Sequence, residues 1–112
     1  MDTTEQMNLP NMVRDITYYF IKYYYEKELK THNVTILPDE YVKTMINNLY
    51  TEKSQELKKY IRSNLKSNLG NNYNIIAIEN IILEMFSNQE YSKQRIYLEI
   101  IEYQKKISNN PT

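Results

Sequence analysis

Between Ile75 and Phe86 the chain reads IIAIENIILEMF, and only Glu79, Asn80 and Glu84 interrupt the apolar residues. On a 3.6-residue period those three polar side chains fall in one narrow stripe. Ile75, Ile78, Ile82, Met85 and Phe86 form a broad face, and Ile76, Ile81 and Leu83 spread beyond it. A helix that is apolar nearly all round implies cover on nearly every side. The stretch is too short and too charged to span a bilayer, which takes about 20 apolar residues. The expectation is therefore an all-α fold: a small single-domain bundle of four or five helices with a central hydrophobic helix at about 74–86.

The rest of the composition agrees with that class. One Gly and three Pro in 112 residues leave few breakers, too few for the many turns of an all-β fold, while Lys, Glu, Gln and Leu favour helix. A chain of this length is read as one domain over residues 1–112, with 1–8 and 108–112 as disordered tails. Cysteine is absent and His32 is the lone histidine, so neither a disulfide framework nor a His/Cys metal site can be assembled, and no cofactor motif is visible. Formal net charge is zero, so any pull toward nucleic acid or anionic lipid has to come from a local patch. No secretory h-region, stop-transfer run or transit peptide is apparent, which gives the expectation of an intracellular protein, cytoplasmic or nuclear. The abundance of Ile, Asn, Tyr and Lys points to an AT-rich genome, such as that of a large DNA virus, an amoeba or a parasite.

In chain order, a first helix is expected from Pro10 or an Asn11 cap to about Thr31. It has two apolar faces: Val13, Ile16, Phe20, Tyr23 and Tyr24 on one, and Tyr18, Ile21, Tyr25 and Leu29 on the other. The first face is expected to meet the core; the second either packs on another helix or is exposed. His32 to Leu37 reads as an ordered loop. Pro38 with Asp39 and Glu40 then starts a second helix, whose Val42, Met45, Ile46 and Leu49 share one face. The polar run Thr51 to Glu56 favours a break near residue 52 over one continuous rod, and Leu57, Ile61, Leu65 and Leu69 mark the helix after it. Gly70 has the position of a left-handed helix terminator. Past the apolar helix, Ser87 to Glu90 has the form of a capping box, with Phe86 and Tyr91 as its hydrophobic staple. Ile96, Ile100, Tyr103 and Ile107 stripe the last helix.

Two surfaces compete for a function. Twelve tyrosines, five of them Tyr18, Tyr19, Tyr23, Tyr24 and Tyr25, are the most unusual feature. Tyrosine gives large contact area at low rotamer cost and tolerates a wet rim, so Tyr18, Ile21 and Tyr25 at i, i+3, i+7 could anchor a protein partner or a second copy of the chain. The plain alternative is that these residues are ordinary core and boundary packing. Lys58, Lys59, Arg62 and Lys66 lie on one helical surface, with no acid between residues 57 and 72, and a basic face of this kind could contact phosphates. Its plain alternative is a solvated outer face. The carboxylates fall at helix starts and edges rather than in an acid–base pair, and His32 stands alone, so no enzyme is expected. The stripe of Glu79, Asn80 and Glu84 either faces water or pairs with Lys or Arg of a neighbour. The sequence thus favours a non-enzymatic helical protein–protein interaction module (an adaptor, inhibitor or assembly factor), self-association through Tyr18, Ile21 and Tyr25 included. A nucleic-acid-binding accessory protein using the basic face is the alternative.

Overall fold

Pro10, Pro38 and Gly70 punctuate the chain where helices begin and end, and five α-helices form between those marks. The computed structural model describes residues 8–108, so the end segments 1–7 and 109–112 lie outside the described residues. The helices are α1 (Leu9–His32), α2 (Asp39–Glu52), α3 (Ser54–Leu69), α4 (Ile75–Ser87) and α5 (Gln89–Ser108), with a short 3-10 turn at Gly70–Asn72. No strand occurs among the described residues. The all-α class expected from the pattern is what the chain adopts.

Local signals explain most of the boundaries. Pro10 sits in the first turn of α1, where its missing N–H has no partner to lose. Asn11 lies inside that turn and accepts from the Arg14 guanidinium at 2.9 Å, so it is not the cap that its residue type suggested. Asn33 closes α1 in the left-handed region (φ 55°, ψ 48°), its N–H reaching the carbonyls of Leu29 and Lys30. Pro38 precedes α2, and Asp39 and Glu40 occupy the first turn at the positive end of the helix dipole. The polar run after Leu49 does break the rod. Lys53 (φ −117°, ψ 27°) ends α2 and precedes α3. One expected device is absent. The Ser87 hydroxyl donates back to the Leu83 carbonyl at 2.9 Å instead of capping α5, and Tyr91 is exposed while Phe86 is half-buried, so neither capping box nor staple forms. Ser108, expected in the tail, is the last residue of α5.

Gly70 carries φ +54° with ψ −123°, the mirror image of the extended region rather than the left-handed helical one. A Cβ built there would meet nothing within 4 Å, so the demand for glycine is conformational and not steric crowding from neighbours. Gly70→Ala is therefore expected to cost roughly 1–3 kcal/mol, measured by chemical denaturation, the penalty for a side chain in a backbone region that only glycine populates freely. A stabilised variant would contradict this turn.

The hub of the bundle is α1, which packs on each of the other four helices. Both of its apolar faces are covered: Val13, Ile16 and Phe20 on one, Ile21 and Tyr25 on the other, all buried. Val42, Met45, Ile46, Leu49 and Tyr50 of α2, Leu57, Ile61 and Leu65 of α3, and Ile96 and Ile100 of α5 complete the core. The apolar helix forms where expected, but it is not the centre. It lies at the edge against α1 and α5, burying Ile78 and Ile82 and leaving Ile75, Ile76 and Leu83 exposed. Its composition permits cover on all sides; the topology supplies neighbours on only one, because the two long faces of α1 already organise the core.

Candidate interaction surfaces

Ile21 and Tyr25 have no exposed surface at all, and Tyr18 is half-buried beside Tyr19, their rings edge-on at 5.5 Å. The strip Tyr18, Ile21 and Tyr25 is thus interior packing, and the outward binding face expected there is corrected on this geometry. The reason lies on α5. Gln104, a polar residue at an inward position, receives the Tyr25 hydroxyl on its side-chain oxygen at 2.7 Å and the Leu37 backbone N–H on the same oxygen at 2.6 Å. One buried amide therefore ties α1, the loop before α2, and α5 together. A buried hydroxyl without such a partner would carry a desolvation cost, and this acceptor removes it. Burial, reinforced by the nearby Tyr103, pushes the Tyr25 phenol up to about 12. Tyr103 is pushed up to about 12 mainly because its hydroxyl donates to the Glu26 carboxylate at 2.7 Å.

On α1 the tyrosines that face outward are Tyr19 and Tyr23, one turn apart, which keep 56% and 61% of their surface. Tyr23 stands edge-on to Tyr24 at 5.2 Å, Tyr24 and Tyr60 of α3 each lean on buried Phe20 at 5.2 and 5.3 Å, and together these four rings line an open pocket of about 300 Å³. The ammonium groups of Lys27 and Lys53 flank the Tyr24 ring at 6.0 and 5.8 Å from its centroid. The rings are held from beneath by the core, so the surface is preorganised. A second, larger groove of about 510 Å³ runs between α1 and α2, lined by Lys27, Glu28, Tyr41 and Glu52 among others. At its rim the Tyr41 hydroxyl donates to Glu28 and meets the His32 ring at 2.9 Å. That exposed cluster joins residues on either side of the loop, and no local spacing in the sequence announces it.

The basic residues of α3 are largely engaged within the chain. Arg62 grips Glu79 of α4 through two hydrogen bonds at 2.6 and 2.9 Å, which holds the Glu79 carboxyl below its ordinary value. Lys58 lies over the Phe86 ring at 4.7 Å and Lys66 over the Tyr73 ring at 5.6 Å. Lys59 is exposed on the outer side of α3. Of Lys58, Lys59, Arg62 and Lys66, the strongest phosphate binder, Arg62, is occupied by a carboxylate. The acidic stripe finds its partner here too: Glu79 pairs with Arg62 of the same chain.

Comparison with protein-family models, curated proteins and solved structures finds no match. Among the described residues no three His, Cys, Asp or Glu side chains are grouped to hold a metal ion, and no helix is long and apolar enough to cross a membrane.

Proposed function

We propose that this domain is a non-enzymatic helical interaction module that binds a protein partner through the aromatic surface between α1 and α3. The observation that carries the reading is the pair of outward tyrosines, Tyr19 and Tyr23, beside a ring-lined pocket whose floor is fixed by buried Phe20. Exposed tyrosines on a rigid support lose little rotamer freedom on binding and offer an apolar ring with a hydroxyl at its edge, the chemistry of energetically dominant interface residues. Lys27 beside Tyr24 adds positive charge at the rim, while Lys53, which also flanks that ring, is paired with Glu56 at 3.2 Å. The matching partner is a protein segment that inserts an aromatic or large aliphatic side chain into the pocket and carries a neighbouring carboxylate.

Selection of a displayed random-peptide library on the domain tests this. Enriched peptides should share an apolar anchor next to Asp or Glu, and their affinity should fall by roughly tenfold or more on the Tyr19→Ser/Tyr23→Ser double variant, the loss expected of truncated anchors. The melting midpoint should hardly move, because both rings are on the surface. Peptides that bind the double variant as tightly as the parent would place the binding surface elsewhere and overturn the reading.

A further inference from the structure

The helix with the most continuous apolar sequence is the one with least cover. On the outer side of α4, Ile76 and Leu83 keep 72% and 67% of their surface, with exposed Asn80 between them and exposed Ile75 at the flank. Ile76 and Leu83 are seven residues apart, two turns, so they stand in one line along the helix. Glu79, on one flank of that line, is already neutralised by Arg62 through the bidentate pair, which lowers the cost of covering this edge.

Three properties of the strip say what fits it. First, the strip is nearly symmetric about a point between Glu79 and Asn80: turned end over end, Ile76 falls on Leu83 and Leu83 on Ile76, while the two Asn80 amides come side by side one residue apart near the middle, where each can donate to and accept from the other. Second, its two ends are opposite in charge. At the N-terminal end the Asn74 side chain accepts from Ala77 N–H and the Asn74 carbonyl from Ile78 N–H, so those of Ile75 and Ile76 keep the positive end of the helix dipole open. Near the other end stands the Glu84 carboxylate, which forms no ion pair among the described residues. Third, antiparallel pairing sets Glu84 beside the partner helix's N-terminus at both ends of the contact and opposes the two dipoles, whereas parallel pairing sets like ends together.

From these we infer that the outer face of α4 is a self-association surface on which a second copy of this chain lays its own α4 antiparallel, about a two-fold axis between Glu79 and Asn80. The contact is one helix wide, well below the roughly 800 Å² per partner of a stable interface, so the dimer forms only at high concentration. It uses a surface different from the α1–α3 aromatic one and stands or falls independently of it.

Sedimentation equilibrium of the full chain from roughly 10 µM to 1 mM, a span chosen for a weak complex, is the test. The average mass should rise from that of one chain toward that of two. Ile76→Lys and Leu83→Glu, each made alone, should abolish the rise, with melting midpoints unchanged at the lowest concentration since both residues are exposed. An equimolar mixture of these two variants should associate again, because antiparallel pairing sets Lys at position 76 of one against Glu at position 83 of the other and leaves Leu83 of the first on Ile76 of the second. A parent that remains one chain in mass throughout, single variants that associate like the parent, or a mixture that stays dissociated would each overturn the proposal, the last by ruling out antiparallel pairing of position 76 with position 83.

Discussion

Tyr25→Ser is expected to lower the stability of the domain by roughly 3–5 kcal/mol, the range for truncating a fully buried aromatic ring. Three losses coincide at this position. The ring is completely buried, it stands edge-on to Tyr103 at 6.1 Å between centroids, and its hydroxyl is one of two donors on the Gln104 oxygen. Tyr25→Phe separates them. It removes the hydroxyl alone and leaves Gln104 with the Leu37 N–H, so it should cost only about 1 kcal/mol. Urea unfolding of both variants checks the pair. A Tyr25→Ser loss below about 1 kcal/mol, the scale of a surface change, would mean that the ring is not inside.

The second large effect is on α4. Ile82→Ala should destabilise by about 2–3 kcal/mol, toward the low end of the range for a buried aliphatic, because α4 packs from one side only and can settle into the space left. Leu83→Ala, one residue on and pointing outward, should change stability by less than about 0.5 kcal/mol. The contrast between adjacent residues reads which way the helix faces. Equal losses would indicate a helix enclosed on both sides within one chain.

Much of this fold was legible because its signals are local. Pro10, Pro38 and the polar run around Lys53 act within a turn or two of themselves, and the positive φ of Gly70 has the same local origin. The inward face of α2 was equally plain, since Val42, Met45, Ile46 and Leu49 alternate with polar residues that leave no second choice. Where local pattern leaves two answers open, tertiary contact decides. On α1 apolar residues surround the helix, and tyrosine suits core and surface alike, so nothing in the spacing separates Tyr25, wholly buried, from Tyr23, mostly exposed. The deciding group is Gln104, distant in sequence, whose amide makes an interior position tolerable for a phenol hydroxyl. That same long-range bond hides Gln104 itself, which reads as polar surface from its type. For α4 the inference from apolarity to burial failed because an apolar helix can be covered by its own chain or by another molecule. The pairing of Arg62 with Glu79 spans the Gly70 turn, and no spacing rule foresees it. The surface now proposed for a partner, Tyr19 and Tyr23 with Tyr60, lay within the same tyrosine-rich run; choosing among its faces required the bundle.

On α1, Ile21 and Tyr25 turn inward and Tyr19 and Tyr23 outward, which moves the proposed binding surface from one side of the helix to another. Nitration of the folded protein with tetranitromethane, followed by peptide mapping over time, tests this orientation directly, since the reagent modifies phenols that solvent can reach. Tyr19 and Tyr23 should be nitrated early, and Tyr25, together with buried Tyr50 of α2, should stay unmodified until the protein is unfolded. Nitration of Tyr25 in the folded protein as fast as that of Tyr23 would contradict the account.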